Sequence, residues 1–324
     1  MAIDAALIDF SKFLNGNAEE RTTTAKAILH GFQNAGFIYL RNHAIPLDFV
    51  DHIFKRSGDF FALPDKNKQD VSWTTPKANR GYSAPGREKL AQVGDANNME
   101  NVRTAAPDLK ESYEVGREGS QEHQNRWPEE TDSIKGFKND MLQFFGLCKE
   151  THIEVMRAIA VGMNLDESFF DSFLDVGDNT LRLLHYPAVD SSVFKKNPNT
   201  VRAGAHSDYG SITLLFQDKS GGLQVQSPNG QFVDGTPIDG TIVVNAGDLL
   251  ARWSNDSIKS TIHRVVEPPT DQDVHPPRYS IAYFCNPNFK DTICALPGTY
   301  ASKDKRYEDI TSGDYLTQRL TATY

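Results

Sequence analysis

The run GAHSDYG, residues 204–210, sets an imidazole and a carboxylate two positions apart between glycines. In an extended segment residues i and i+2 face the same side. His206 and Asp208 can therefore aim a nitrogen and an oxygen at one point while Ser207 faces away. Alone, such a pair is most often a surface turn. A second histidine changes its weight: STIHRVV places His263 in an apolar, β-branched run, where an imidazole is awkward unless it has a partner or a task. Farther along, PRYSIAYF puts Arg278 and Ser280 on one face of another β-type run. A guanidinium there is costly unless it meets an anion, and the neighbouring sequence offers no obvious acidic partner. Two imidazole nitrogens and one carboxylate oxygen suit a borderline divalent ion such as Fe(II) and leave one face of an octahedron open for a chelating cosubstrate and dioxygen. Zinc accepts the same donors, but a zinc hydrolase also needs a general base, and none stands out.

Elements must hold these groups in place. From Thr180 onward, short β-type runs (LRLLHYP, ITLLFQD, GLQVQSP, TIVVNAG, TIHRVV, RYSIAYF) alternate with turn signals such as Pro228-Asn229-Gly230 and Asp239-Gly240. That rhythm predicts a β-sandwich or jelly roll. The first half reads as helical: ERTTTAKAILHGFQNA spaces Ala25, Ile28, Leu29 and Phe32 at helical intervals, residues 43–61 follow suit, and a long apolar stripe runs over roughly 134–163. FIYLRN after Gly36 reads as a strand, and the segment after Gly313 as a terminal helix. Residues 74–135, rich in Pro, Gly and charge, are expected to be loops that frame a site. The fold class is α+β: residues 1–175 form a mainly helical region, and residues 176–324 a jelly-roll catalytic core with a C-terminal helix. The two regions are expected to share one core.

The bulk properties narrow the function classes. A chain of 324 residues can bury a substantial core, and its net charge of −9 argues against a surface built for nucleic acid. Three cysteines, Cys148, Cys285 and Cys294, lack metal-type spacing and read as buried or half-buried free thiols in a reducing compartment. The first residues carry no basic leader, and no apolar run approaches a membrane span, so the expected location is the cytoplasm. His30, His43, His52, His123 and His152 read as structural or exposed. His185 should point away from the Tyr186 face, and His275 reads as a loop residue.

An ordered series of motifs adds a resemblance. GFQNAGFIYLRNHAIP, KESYEVG, LRLLHYP, GAHSDYGSITLLFQD, VVNAGDLLARWSNDSIKSTIHRVV and RYSIAYF together resemble the 2-oxoglutarate- and Fe(II)-dependent dioxygenases related to isopenicillin N synthase, over nearly the whole chain. Within that family the likeness is to the branch of the fungal thymine 7-hydroxylases and of related oxygenases that attack aromatic methyl groups. The resemblance implies a double-stranded β-helix in which His206, Asp208 and His263 hold Fe(II). It implies that Arg278 and Ser280, helped by the Tyr186 hydroxyl, grip the distal carboxylate of 2-oxoglutarate, and that Arg182, Tyr209 and Phe284 lie near the substrate. It further implies dioxygen as co-reactant, succinate and CO2 as co-products, ascorbate as a supporting reductant, and a small aromatic or heteroaromatic substrate, with no nucleic-acid or membrane partner and a monomer or weak homo-oligomer. The leading expectation is methyl hydroxylation of thymine to 5-hydroxymethyluracil and onward. The alternatives are oxidation of an aromatic polyketide methyl group, with or without ring expansion, and a non-catalytic jelly-roll sensor of 2-oxoglutarate or metal.

Overall fold

The amphipathic run near the start of the chain folds as its spacing predicts. Strand β1 (Ala6–Asp9) and the short helix α1 (Ser11–Asn15) lead into α2 (Ala18–Asn34). Asn17 caps α2: its side-chain oxygen accepts from the Glu19 and Glu20 N–H groups, and the Glu20 carboxylate accepts from the Asn17 N–H. That reciprocal box satisfies donors the first turn leaves open. There follow β2 (Phe37–Arg41), α3 (Leu47–Phe61), α4 (Asp65–Asp70), β3 (Gly81–Ser83) and β4 (Glu111–Gly116). The apolar stripe becomes α5 (Phe137–Gly162), which packs along α2, and α6 (Asp171–Leu174) closes this half. The computed structural model describes residues 5–75, 79–86, 108–196, 201–268, 272–301 and 304–323. Of the site-framing stretch 74–135, residues 76–78 and 87–107 lie outside the described residues.

The second half supplies β5 (Thr180–Tyr186), β6 (Val189–Asp190), α7 (Ser192–Lys196), β7 (Ala203–His206), β8 (Ile212–Gln217), β9 (Leu223–Gln226) and β10 (Phe232–Asp234). It continues with β11 (Thr241–Ala246), α8 (Asp248–Trp253), β12 (His263–Val265), β13 (Val274–His275) and β14 (Arg278–Phe284). The pair β15 (Thr292–Ile293) and β16 (Ile310–Thr311) precedes the terminal helix α9 (Ser312–Thr323). A large sheet runs β1-β2-β11-β8-β14-β5-β4-β3 and faces a smaller one, β10-β9-β12-β7. This is the jelly-roll core with helices that the β-run spacing predicts. Four strands of the large sheet come from before residue 117, so the helical half is stitched into it.

Period-2 alternation divides the large sheet into two faces. Leu181, Leu183, Ile281 and Tyr283 join the main apolar core with the helices. Their neighbours Arg182, Leu184, Tyr186, Arg278, Ser280 and Phe284 turn the other way, into a cavity between the sheets. The β14–β5 register sets Arg278 opposite Tyr186 and Ala282 opposite Arg182, so functional groups from distant parts of the chain share one wall.

Three expectations need correction. Asp208 lies past the end of β7, so its orientation comes from the following loop rather than from strand alternation. His275 is no loop residue: it sits in β13, wholly buried, bonded through Nε2 to Glu267 at 2.7 Å. Cys294 is exposed, whereas Cys148 and Cys285 are buried. Among the described residues, no helix is long and apolar enough to cross a membrane.

Candidate active site

The loop after β7 returns the chain sharply toward β8. Gly210 packs so close to the end of β14 that a Cβ there would lie 2.2 Å from the Cys285 carbonyl oxygen, so only glycine fits. This turn carries Asp208 to the side of His206, while β12 pairs with β7 and sets His263 directly opposite His206. One ligand atom of each lies within 4.8 Å of the others. Asp208 Oδ1 is 3.9 Å from His206 Nε2 and 3.8 Å from His263 Nε2. Atoms that share one ion through bonds of roughly 2.1 Å can stand at most about 4.2 Å apart, and both pairs fall inside that limit.

The surroundings fix the protonation state that a metal requires. His206 Nδ1–H donates to the Gly204 carbonyl at 2.8 Å and His263 Nδ1–H to the Thr261 carbonyl at 3.3 Å, a tautomer assigned from this network that leaves both Nε2 lone pairs free. Burial, and then the adjacent His263 ring, push the His206 pKa down to about 4, so the ring is neutral at pH 7. Burial works against an ionised Asp208. The two histidine rings and the hydrogen bonds from Asn245 and Thr213 outweigh it and hold that pKa below the usual carboxylate value. Those two donors, at 2.7 and 2.6 Å, both occupy Oδ2 and leave Oδ1 to the shared point. Two imidazole nitrogens and one oriented carboxylate oxygen are a donor set that fits Fe(II).

Arg278 lies in the same cavity, 1 % exposed. Its partners are neutral: the Gly221 carbonyl at 2.9 Å, Ser280 Oγ at 3.2 Å and Gln217 Oε1 at 3.4 Å, with the guanidinium 4.9 Å from the centre of the Tyr186 ring. Arg202 is wholly buried as well; it donates to the Pro276 carbonyl, while its Nε and Nη1 have no partner among the described residues. Burial, and then the charge of Arg278, lower its pKa. Neither arginine is ion-paired with a described residue.

Arg182, Tyr209 and Phe284 also line the cavity. Arg182 differs from Arg278 in having an acid: its Nε is 2.8 Å from Glu114 Oε1, and Nη2 donates to Asn79 Oδ1 at 3.3 Å. Its guanidinium lies 5.3 Å from the Phe284 ring centre. Sequence reasoning missed Asn79, Lys110, Glu114, Asn245, Leu316 and Leu320. Glu114 stands directly opposite Arg182 in the β4–β5 ladder, where opposite charges pair across strands, but only the register of the folded sheet shows it. Lys110, ion-paired with Asp108 at 3.5 Å, carried no readable signal.

Residues 177–287 match the family described as the 2OG-Fe(II) oxygenase superfamily, and residues 6–130 match the non-haem dioxygenase N-terminal family, described from morphine synthesis. A 2-oxoglutarate-Fe(II) type oxidoreductase of Metarhizium rileyi, ppzD, is 35 % identical over 98 % of this chain and 90 % of its own length.

The chain belongs to the 2OG-Fe(II) oxygenase superfamily.

As a member it is a 2-oxoglutarate-dependent dioxygenase, with Fe(II) as its metal and 2-oxoglutarate as its cosubstrate. The proline hydroxylase buaE of Petromyces alliaceus is 34 % identical over 98 % of both chains. Among solved structures, Neurospora crassa thymine 7-hydroxylase in complex with alpha-KG and thymine is 67 % identical, covers 99 % of this chain and 97 % of its own, and superposes with a TM-score of 0.92. The same enzyme with alpha-KG and 5-formyluracil superposes with a TM-score of 0.91 at 62 % identity, covering 100 % of this oxygenase and 98 % of its own chain.

Proposed function

We propose that this oxygenase hydroxylates the methyl group of free thymine to 5-hydroxymethyluracil, consuming dioxygen and converting 2-oxoglutarate to succinate and CO2. The observation that carries the substrate is the 67 % identity, along 99 % of the chain, to an enzyme whose structure holds alpha-KG and thymine. The companion structure with 5-formyluracil supports further oxidation to the aldehyde and acid. The cavity that runs from the His206–Asp208–His263 cluster past Arg278 and Arg182 places the three groups on one space between the sheets.

In this reading His206 and His263 hold iron through Nε2 and Asp208 through Oδ1. Bound there, Fe(II) with 2-oxoglutarate supplies the dioxygen activation that hydroxylation of a methyl group requires. Arg278 and Ser280 take the distal carboxylate of 2-oxoglutarate and the Tyr186 hydroxyl adds a third donor, because a guanidinium fork matches a carboxylate and strengthens away from water. Arg202 deepens the positive field behind them. At the other end, Arg182 donates to a ring carbonyl, while Tyr209 and Phe284 offer aromatic faces. Leu184, Leu215 and Val265 keep water from the reacting groups. Residues 176–324 carry the iron and cosubstrate groups, and residues 1–175 add Asn79, Lys110 and Glu114 at the substrate end. The buried free thiols suit a reducing cytoplasm.

The test follows decarboxylation of 2-oxoglutarate by the iron-loaded enzyme with thymine, 5-hydroxymethyluracil, uracil and several methylated phenolic aldehydes. Stimulation by thymine and 5-hydroxymethyluracil, with the matching products, supports the reading. Stimulation by phenolics alone replaces it with the aromatic polyketide substrate.

A further inference from the structure

The terminal helix α9 forms one wall of the cavity. Leu316 and Leu320, one turn apart, face the active-site cavity, whereas Tyr315 and Arg319 line a separate open cleft. Arg319 is the link from this wall to the site. Its Nη2 is 2.9 Å from Asp248 Oδ2 and 3.5 Å from Ser207 Oγ. Asp248 also accepts from Ser207 Oγ at 3.0 Å and from Ser260 Oγ at 2.6 Å. One carboxylate thus ties the residue between His206 and Asp208 to the segment that leads into His263, and the ion pair fastens α9 to both. The same guanidinium lies 4.8 Å from the centre of the Tyr209 ring.

We propose that Arg319 is a positioning residue for substrate: by clamping α9 to Asp248 and lying against Tyr209, it closes the cavity wall and sets the angle of the Tyr209 ring. This rests on the reading of that cavity as the thymine site. Tyr209 and Phe284 each carry a guanidinium over one face, from Arg319 and Arg182 respectively. A ring held that way has lost its rotational freedom before the substrate arrives, and preorganisation of this kind is gained as affinity. A closed wall also keeps water and misplaced substrate away from the iron end, so 2-oxoglutarate is consumed only with product formation.

The experiment compares the iron-loaded wild type with Arg319→Gln and Arg319→Lys. Loss of a partly buried cation–π contact and ion pair in Arg319→Gln is expected to raise KM for thymine about ten-fold, while KM for 2-oxoglutarate stays within about two-fold. Succinate should then exceed hydroxylated product, and amide hydrogen exchange across residues 312–321 should speed up. Lysine restores the ion pair but not the planar stack, so Arg319→Lys should show wild-type exchange with an intermediate KM for thymine. Unchanged thymine KM and coupling in Arg319→Gln overturn the proposal. So do parallel rises in both KM values with a lower Tm and no rescue by lysine, the mark of a merely structural residue. If the wild type ignores thymine, the substrate reading has failed, and exchange alone judges the clamp: faster exchange in Arg319→Gln supports it and unchanged exchange overturns it.

Discussion

The cavity has an arginine at each end, and the two are held in opposite ways. Arg278 sits 1 % exposed against two neutral oxygens, a hydroxyl and the face of a tyrosine, whereas Arg182 is ion-paired with buried Glu114. A buried charge without a counterion is costly, so the Arg278 end is complete only when an anion arrives. The Arg182 end is already compensated and can direct its remaining N–H groups at an uncharged ring. The two ends match the two partners expected of this enzyme, a dicarboxylate and a neutral pyrimidine. On the proposed assignment, charge balance inside one cavity would sort cosubstrate from substrate.

Removing the uncompensated charge should do the most harm. Arg278→Leu is expected to raise the apparent KM for 2-oxoglutarate by about two orders of magnitude, since a desolvated charge-assisted carboxylate contact is lost. Thymine affinity should barely change. Initial rates across a 2-oxoglutarate titration decide it, and an unchanged requirement would mean that the anion binds elsewhere.

The mirror experiment uncovers the other arginine. Glu114→Gln keeps an oxygen near Arg182 but removes its charge, which should shift preference by about ten-fold from thymine toward an anionic ring such as 5-carboxyuracil. The 2-oxoglutarate requirement should hold steady. Competition between the two rings, read as inhibition of thymine turnover, measures the shift; equal inhibition in wild type and variant would show that the substrate does not sense Arg182 as a charge.

The two ends also differed in how well they could be read from sequence. His263, Arg278 and Ser280 announce themselves as polar residues in apolar β-runs, His206 only through its spacing from Asp208, and strand alternation aims Arg278 and Ser280 into the cavity. Asp208 was found for a partly wrong reason, because a glycine turn rather than a strand orients it. The Arg182 end was harder. The Glu114–Arg182 pair depends on the register of strands joined by a long excursion of chain, which no local pattern encodes. Leu316 and Leu320 look like ordinary helix packing until the helix is seen to wall the cavity. His275 was misjudged because Val274 and Pro276 read as a turn, while the β13–β6 pairing and Glu267 bury it. Local chemistry is legible wherever a residue clashes with its neighbours in sequence, and not where its meaning comes from a distant strand.

The last effect expected is on stability rather than turnover and concerns the scaffold beneath the iron end. His152 of α5 is wholly buried and reaches Ser211, in the metal loop, at 3.2 Å. Ser211 Oγ already donates to the Cys285 carbonyl at 3.1 Å, so His152 Nε2–H must be the donor. Burial, with a lesser contribution from Lys149, pushes its pKa down to about 3, and burial pushes that of His43 down to about 4. Folded values below the unfolded one near 6.5 mean that the unfolded chain binds protons first on acidification. Stability is then intact above about pH 6.5 and falls steadily toward the folded pKa values. At pH 5 the loss from His152 alone is about 2 kcal/mol. Urea unfolding at pH 7 and pH 5 should show it, and His152→Gln, which keeps an N–H donor but cannot titrate, should flatten the pH dependence by that amount. The guanidinium groups at the Arg182 end do not titrate in this window, so hydrogen exchange should rise at Tyr209–Ser211 before it rises in β4. Simultaneous loosening of both would mean that the two ends unfold as one unit and that their different charge balance has no consequence for local stability.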